Sequence, residues 1–348
     1  MPANLRIYYA IQAAGVAIDG TTSYYPIHGL QTLGVNTRFN LDQLFEIGQL
    51  ALYENVELVP DIEITLEKCL DGWPLMYHLF TNNAASSTLA GRSTVKATMA
   101  MSIYPDVNNA ASGNPVAQCT CSGLFVSNIG YDFNIDGPAR ESITAVGNNK
   151  FWSTSSFNFT PSIFGSDLPY NTGYVSRRQH VVFNGGGVIA TGTVWQRQYT
   201  RLPTEIAGIS ASGTNDLTAG VFGAHVRRIN VSANLGRDQL LELGRRGPYF
   251  RYVNFPVEVR TDIEIMALKG DLVQADENSA TNTSNQTITV KSSEGTYINL
   301  GSQNRLQSVN YGGADAGRQG GNATITYSYL TYNDFVVLHP QDPMGFSS

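Results

Sequence analysis

A phrase that begins at residue 42 returns at residue 238, and this internal repeat limits the possible folds of the chain more than any other feature. The first copy reads DQLFEIGQLALYENVELVPDIEI, and the second reads DQLLELGRRGPYFRYVNFPVEVRTDIEI. At ordinary composition, chance would match about one position in fifteen. The matches here are far denser, so the sequence predicts two tandem copies of one folding unit.

The alignment of the two copies indicates which residues are equivalent. One offset relates them up to a shared tyrosine, and a five-residue insertion in the second copy changes the register beyond it. Identical residues therefore occur on both sides of the insertion. They are Val35/Val231, Asp42/Asp238, Gln43/Gln239, Leu44/Leu240, Glu46/Glu242, Gly48/Gly244, Tyr53/Tyr249, Val56/Val257, Glu57/Glu258, Asp61/Asp262, Ile62/Ile263, Glu63/Glu264, Ile64/Ile265 and Lys68/Lys269.

Each copy opens with the signals of a short helix. Asn40 and Gly236 stand at N-cap positions, and each is followed three residues later by a glutamine, as in a capping box. Gly48 and Gly244 suit the C′ position, where a positive φ is needed. The pattern predicts a helix of about two turns in each copy, which is too short to form unless it packs against another element.

The two DIEI segments predict strands. Around Ile62 and Ile64, and again around Ile263 and Ile265, apolar residues alternate with charged ones. A period of two with one apolar face is typical of a half-buried antiparallel strand. Further short segments rich in Thr, Ile, Tyr and Val are separated by Gly, Asn and Asp turns, as in a β-sandwich or barrel. The predicted fold is mainly β, with two tandem β-sandwich or barrel domains that each carry one short α-helix.

The length of 348 residues suits two domains, each large enough for its own core. We expect a first β domain at 1–152 and a second at 221–348. The segment between them, 153–220, is rich in Ser, Thr, Gly and Asn. An NGGG turn at 184–187 predicts a long hairpin followed by a linker, and we expect this hairpin to pair with a neighbouring subunit.

No motif of a catalytic, metal or nucleotide-binding site is found in the sequence. P-loop, zincin and hydrolase-elbow motifs are absent, and the five histidines are scattered. Cys119 and Cys121 fall on one face of a predicted strand but lack the further ligands of a zinc site. The formal net charge of −6 disfavours a general nucleic-acid binder, which needs a basic surface. We therefore expect no enzyme activity, cofactor or metal, and the lack of a long apolar run predicts no membrane helix.

Three longer phrases resemble a known family. GRDQLLELGRRGPYFRYVNFPVEVRTDIEIMALKGD, IGYDFNIDGPARESITAVGNNKFW and RLPTEIAGI are similar to segments of the tail tube proteins of tailed bacteriophages. The resemblance covers both copies of the repeat. It implies a β-sandwich subunit that closes into rings, whose inner strands form a continuous β-barrel channel. The rings of this family stack into a tube that carries genomic DNA.

With two tube-type units in one chain, the resemblance implies a trimeric ring with pseudo-sixfold symmetry. The protein would then be a structural component of the virion that is assembled in the host cytoplasm. Its implied partners are further copies of itself, sheath, baseplate and tail-terminator proteins, and a tape-measure protein in the lumen, while double-stranded DNA passes through without specific binding. The long middle segment departs from the simplest tube proteins, which leaves open a baseplate hub or tail-initiator ring of the same fold.

Two sets of charged residues are candidates for these roles. Acidic residues on the predicted strands are expected to line the channel and repel phosphates, although an exposed strand face can also carry acids simply because it is solvated. Arginine pairs are expected to contact the acidic faces of neighbouring subunits. The acidic set is Asp61, Glu63, Glu67, Asp262 and Glu264, and the basic set is Arg177, Arg178, Arg245 and Arg246.

A carbohydrate-binding β-sandwich is the alternative from another class of protein. Trp73, Trp152 and Trp195 could then stack on sugars, although tryptophans more often lie in cores or interfaces. Glycan binding by the isolated protein, without assembly, would favour this alternative.

Overall fold

The computed structural model describes residues 7–105, 114–159, 175–183, 203–207, 225–267, 283–312 and 322–345, with residues 270, 271, 273, 275 and 277 between them. Its fold is mainly antiparallel β, which confirms the predicted fold class.

The strands of the first half are β1 (Gln12–Ile18), β2 (Tyr25–Pro26), β3 (Leu30–Arg38), β4 (Leu41–Phe45), β5 (Leu52–Glu57), β6 (Asp61–Cys69), β7 (Ala97–Ile103), β8 (Ala117–Asn134), β9 (Arg140–Gly147) and β10 (Asn149–Ser153). Those of the second half are β11 (Val181–Phe183), β12 (His225–Asn234), β13 (Arg237–Leu240), β14 (Phe250–Val253), β15 (Glu258–Met266), β16 (Thr289–Ser292), β17 (Tyr297–Asn299), β18 (Arg305–Gly312), β19 (Thr324–Tyr332) and β20 (Val336–Leu338). The short helices are α1 (Met76–Phe80), α2 (Leu89–Ser93) and α3 (Thr204–Ala207), and 3₁₀ turns lie at Tyr9–Ile11 and Arg178–His180.

Eight strands form the main sheet, in the order β3-β6-β9-β8-β12-β15-β19-β18, and every neighbouring pair is antiparallel. We call the first four strands unit 1 and the last four unit 2. Each unit has the same topology: a first strand, its partner, and then a hairpin whose second strand lies next to that partner. The repeat in the sequence is therefore also a repeat in the sheet, and the β8–β12 pair is the junction between the units.

Bulges at matching places show which residues of the two units are equivalent. Gln31 is the extra residue where β3 pairs with β6, and Arg227 is the extra residue where β12 pairs with β15. In the same way, Ser127 is extra in β8 beside β9, and Gln307 is extra in β18 beside β19. When these bulges are superposed, β6 and β15 match from end to end.

The DIEI segments are consequently not equivalent along their strands. Asp61 and Glu258 each begin the strand, whereas Asp262 matches Thr65, four residues further along. The alignment by identity is wrong here, because alternating residues match at any even displacement and every such displacement keeps the apolar face inward. The segment between the hairpin and this strand is one residue longer in unit 2 than in unit 1, rather than the five residues of the sequence alignment.

Two-stranded hairpins stand where the sequence predicts a short helix in each copy. Hairpin 1 (β4–β5) follows β3, and hairpin 2 (β13–β14) follows β12. The predicted helices are wrong because two helical turns leave most backbone groups unpaired, whereas a hairpin continues the pairing of the two strands that it connects. Four antiparallel steps separate β3 from β12, so these strands run in the same direction. Both hairpins therefore project from the same end of the main sheet.

The two hairpins also share one register. Asp42 faces Val56 in hairpin 1, and Asp238 faces Tyr252 in hairpin 2, so the paired positions are equally far apart in sequence. The ungapped part of the sequence alignment therefore extends through both strands of the hairpin.

Smaller sheets form a second layer. The first half of β8 leaves the main sheet to pair with β7 and β10, and β7 continues to β1 and β2. A separate small sheet has the order β11-β16-β17-β20. Buried side chains from all these sheets contribute to one large hydrophobic cluster, which contains Val16, Met99, Ile64, Ile263 and Ile298. A smaller separate cluster lies on the other side of β1 and β7 and contains Ala13 and Ala100. The packing is that of a sandwich with one shared core.

Part of the middle segment belongs to the small sheet. β11 pairs with β16 inside the subunit, so the first arm of the predicted long hairpin is an internal strand. The NGGG turn at 184–187, the second arm and the linker after residue 207 lie outside the described residues.

Candidate assembly surface

The main sheet buries one face in the core and presents the other, which we call the open face, to the outside. Side chains alternate between the two faces along all eight strands. The open face is rich in Asn, Ser, Thr and charged residues. It includes Asn36, Arg38, Asp61, Glu63, Thr65, Glu67, Asn128, Asp132, Ser142, Thr144, Arg228, Asn230, Ser232, Glu258, Arg260, Asp262, Glu264, Ser308, Asn310, Thr326 and Ser328.

All five predicted acidic residues lie on this open face, but most of them are paired with arginine. The ion pairs are Asp61–Arg251 at 2.7 Å, Glu67–Arg140, Asp262–Arg260 at 2.9 Å and Glu264–Arg227 at 3.8 Å. Among the described residues, Glu63 is the one member of the set with no such partner within 4.0 Å. The open face is therefore polar with compensated charges, rather than a wall of free carboxylates.

The sequence prediction missed these arginines, although a signal for one of them was present. Arg260 stands two residues before Asp262 on the same strand, so both side chains leave the sheet on the same face. Arg140 and Arg251 come from other strands, and their positions depend on register. Alternation within one strand could therefore reveal the first pair but not the others.

Asp61 connects unit 1 to hairpin 2. Its carboxylate accepts hydrogen bonds from Arg251 (2.7 Å) and Gln239 (3.2 Å) of hairpin 2, and from Asn40 (2.9 Å). Partial burial acts to raise the pKa of Asp61, but these hydrogen bonds and the Arg251 charge outweigh it and hold the pKa below its usual value. The ionised carboxylate thus helps to fix hairpin 2 across the end of unit 1.

The β8–β12 junction is packed on both faces. On the open face, Arg228 of β12 donates to Asp132 of β8 at 2.5 Å. On the core face, Tyr131 lies opposite Val231, and both side chains are fully buried. The two units are thus joined as closely as neighbouring strands within either unit.

Arg237, at the start of hairpin 2, also fastens the junction. Its guanidinium donates to the carbonyl oxygens of Val126 (2.7 Å) and Ser93 (2.6 Å) and lies over the ring of Phe125. Burial lowers the pKa of Arg237 to about 10, which leaves the group charged at neutral pH.

The outer edges of the main sheet are formed by β3 and β18. Within the described part of the chain, β3 pairs only with β6, and β18 pairs only with β19. These edges are not arbitrary strands, because β3 is the equivalent of β12 and β18 is the equivalent of β8. The two strands that meet at the internal junction therefore recur as the two free edges.

The hairpin tips present apolar side chains to the outside. Ile47 and Leu50 in hairpin 1 are fully exposed, at 103% and 105%, and Leu243 in hairpin 2 is exposed at 104%. Such residues contribute nothing to the core of the described chain. Their repetition in both copies makes the tips candidate contact surfaces.

The four predicted contact arginines lie at the surface in two places. Arg177 and Arg178 are exposed beside the buried His180. Arg245 pairs with Glu242 in the same hairpin at 3.5 Å, and Arg246 of hairpin 2 approaches Glu57 of hairpin 1 at 3.9 Å. The last two arginines thus make contacts within the chain, and a role of any of the four between subunits stays a prediction.

The residues singled out for other chemistry are placed as follows. Cys119 and Cys121 share one buried face of β8, as predicted, with sulfur atoms 4.0 Å apart. Trp73 stacks on His28, Trp152 is partly exposed on β10, and Trp195 lies outside the described residues. In the described ranges, no group of three His, Cys, Asp or Glu residues could hold a metal ion, and no helix is long and apolar enough to span a membrane.

Comparison with known proteins gives matches among solved structures. No protein-family model and no curated protein matches the chain. Among solved structures, it is similar to a chain in the cryo-EM structure of the anti-feeding prophage baseplate, 6-fold symmetrised, with 12% identity and a TM-score of 0.32. The match covers 44% of this chain and 99% of that chain. At these values the similarity assigns neither a fold nor a function.

Proposed function

We propose that the protein is a structural subunit of a phage tail that closes into a ring around a channel for DNA. The observation that carries the proposal is the main sheet itself, in which one unit occurs twice, side by side, and neither outer edge has a partner strand among the described residues. An unpaired edge strand exposes a row of backbone donors and acceptors. Closure of the sheet through further copies of the chain satisfies both edges at once.

The free edges also favour a ring over a twofold dimer. Because β3 and β18 are different strands, pairing between them is head to tail, and such contacts generate either a closed ring or an open filament. Three chains supply six units, which is the number implied by the resemblance to single-unit tube proteins that form hexamers. We therefore expect a trimer with pseudo-sixfold symmetry.

The open face would line the channel, since the opposite face of the sheet is buried in the core. Adhesion to DNA requires lysines or arginines that are free to neutralise phosphates. Here Arg140, Arg251 and Arg260 are already engaged by carboxylates. Arg38 has no ion pair among the described residues, but it lies opposite the acidic Asp61, and Glu63 adds a negative charge with no arginine or lysine partner in the same part of the chain. The lining would act passively, as a polar wall to which DNA does not adhere, without enzymatic chemistry.

Assembly of the purified full-length protein tests the ring. Native mass spectrometry and negative-stain electron microscopy across a concentration series should show trimers and particles with a central hole. Rings that stack without limit indicate a bulk tube protein, whereas single rings or short stacks indicate a hub or initiator. A chain that stays monomeric, forms only a twofold dimer or extends into open filaments overturns the proposal.

The channel lining has a separate test that uses a charge-matched pair of variants. Glu63→Lys adds positive charge on the open face, while Glu46→Lys adds the same charge on the exposed part of hairpin 1. We expect rings of the first variant to retain double-stranded DNA at low salt and release it as salt rises. Rings of the second variant and of the unmodified protein should not retain it. Equal retention by both variants places the channel elsewhere.

A further inference from the structure

We infer that β18 of one chain pairs antiparallel with β3 of the next chain in the same register as the internal β8–β12 junction. This inference rests on the proposed ring, and it names the partner, a second copy of this chain, and the residues that meet. An edge that already pairs once inside the chain would then pair again between chains.

The equivalent bulges show which residues of β18 and β3 would face each other between chains if the register of the β8–β12 junction is repeated. Gln307 of β18 is the equivalent of Ser127 in β8, and Gln31 of β3 is the equivalent of Arg227 in β12. Inside the chain, three of the cross-strand pairs are Asn128–Asn234, Gly130–Ser232 and Tyr131–Val231. The corresponding pairs between chains are Ser308–Arg38, Asn310–Asn36 and Tyr311–Val35.

The side chains on the core face fit this register. Tyr131 of the junction has its equivalent in Tyr311, and Val231 has its equivalent in Val35, so the same two residue types meet at both places. Tyr131 is 0% exposed, whereas Tyr311 at the free edge is 52% exposed. Pairing with β3 of the next chain covers Tyr311 as β12 covers Tyr131, which removes apolar ring surface from water.

Hairpin 1 of the next chain should then contact the end of unit 2. Inside the chain, Gln239 of hairpin 2 donates to Asp61 at the start of β6. The equivalent residues are Gln43 in hairpin 1 and Glu258 at the start of β15, and Glu258 is exposed in the single chain. An acidic residue thus occupies the same place in both units, and a glutamine is available to meet it at both junctions.

Engineered cysteines test the register in the full-length protein. Arg38→Cys with Ser308→Cys should give a disulfide between chains, because directly opposed residues bring their Cβ atoms to about 4.5–5.5 Å. Asn128→Cys with Asn234→Cys occupies the equivalent positions inside the chain and shows whether this geometry can be oxidised. The three native cysteines are buried, so they should contribute little background.

The expected result is a covalent trimer on a non-reducing gel for the Arg38→Cys, Ser308→Cys chain. Arg38→Cys with Asn310→Cys, in which one cysteine is displaced by two residues along β18, should give at least tenfold less covalent trimer. Reduced protein is examined in parallel by native mass spectrometry, so that assembly and register are read separately. No rings in the reduced protein overturns the proposed function. If rings form and the internal cysteine pair is oxidised but the Arg38→Cys, Ser308→Cys pair is not, the proposed register is wrong while the ring stands. A disulfide-linked dimer of the single variant Ser308→Cys also overturns the register, because it shows that β18 pairs with β18 of another chain.

Discussion

Units 1 and 2 share a sheet but differ in what they bury against its core face. In unit 1, Lys68 and Glu141 are opposite each other on β6 and β9, and both are completely buried. At the equivalent position in unit 2, Ile265 lies opposite Ile325, also completely buried. The same cross-strand position therefore holds two ionisable residues in one unit and two apolar residues in the other.

Lys68 and Glu141 have a structural task that has no counterpart at this position in unit 2. The carboxylate of Glu141 accepts the N–H groups of Met76 and Tyr77 at the start of α1, at 2.6 and 2.9 Å. Lys68 donates to the Pro74 carbonyl oxygen at 3.0 Å, in the turn that leads into this helix. The two side chains thus hold α1 against unit 1. Topology, bulges and the two hairpins are common to both units, whereas this core-facing pair of residues has diverged.

The largest expected effect is the loss of Glu141. Glu141→Ala should lower the free energy of unfolding by about 3–5 kcal/mol, because it leaves the N–H groups of Met76 and Tyr77 and the hydroxyl of Tyr131 buried without their acceptor. The matched change in unit 2, Ile325→Val, should cost about 1 kcal/mol, since it removes only one methylene group. Urea denaturation followed by circular dichroism measures both values. A smaller loss for Glu141→Ala than for Ile325→Val would show that the polar pair does not hold α1.

The dependence of stability on pH should come from the buried histidines behind the sheet. Burial, reinforced by the Arg92 charge, holds the pKa of His78 well below its usual value, and burial does the same for His339. Both are neutral when folded but protonate in the unfolded chain near pH 6.5. The unfolded state then binds more protons, so stability is complete above that pH and is lost as the pH falls through it.

Each such histidine contributes a slope of up to about 1.4 kcal/mol per pH unit. We expect His78→Gln to reduce the slope measured between pH 7 and pH 5 by denaturant unfolding. Glutamine can still donate to the Val337 carbonyl oxygen, which His78 Nε2 does at 3.0 Å. An unchanged slope would mean that His78 does not contribute to the pH dependence.

A smaller effect should follow from the ion pair between hairpin 2 and unit 1. Asp61→Asn and Arg251→Gln, alone and together, form a double-mutant cycle whose coupling energy we expect to be about 1 kcal/mol, because Asp61 is partly exposed. The pKa of Asp61 is lowered on folding, so this contribution is present at neutral pH and lost as the pH falls below about 4. Glu258→Gln, at the equivalent position of unit 2, should leave the monomer unchanged. A coupling near zero would show that hairpin 2 is held by its other contacts.

The smallest effect on folding is expected at the hairpin tips. Ile47→Ser and Leu243→Ser should each change the free energy of unfolding of the monomer by less than about 0.5 kcal/mol, since the replaced side chains are fully exposed. Thermal melting under dilute conditions measures this. Val231→Ser, at the buried β8–β12 junction, serves as a destabilising control. A tip variant that lowers the stability as much as Val231→Ser would show that the tip packs in the core.

The repeat and the strand alternation were readable because each depends on local spacing. Ile64 and Ile263 are core residues, as their alternation predicts. A period of two does not determine which residues of β6 and β15 are equivalent, because the pattern matches at any even displacement. The alignment by identity of the two DIEI segments is therefore four residues away from the structural alignment. Register depends on bulges at Gln31 and Arg227, which no local pattern reveals.

The predicted helices failed for a related reason. Gly48 and Gly244 do adopt positive φ, at 97° and 83°, as predicted, but a positive φ also serves the turn of a hairpin. The apolar residues around them predict a helix face that packs against the core, whereas in the structure they are exposed. The helix α1 was missed because its five residues are all buried, so no amphipathic period marks it. Its position is set by Glu141, which is far away in the sequence.

The β8–β12 junction has a consequence for how an assembly of this chain comes apart. Both of its edges belong to one polypeptide, so they meet at an effective concentration that dilution cannot change. A ring of three chains would have six seams between units, and only three of these could open. Dilution would release intact pairs of units, and the loss of translational and rotational freedom on assembly would be incurred for three bodies rather than six. Tandem duplication therefore makes every second seam permanent.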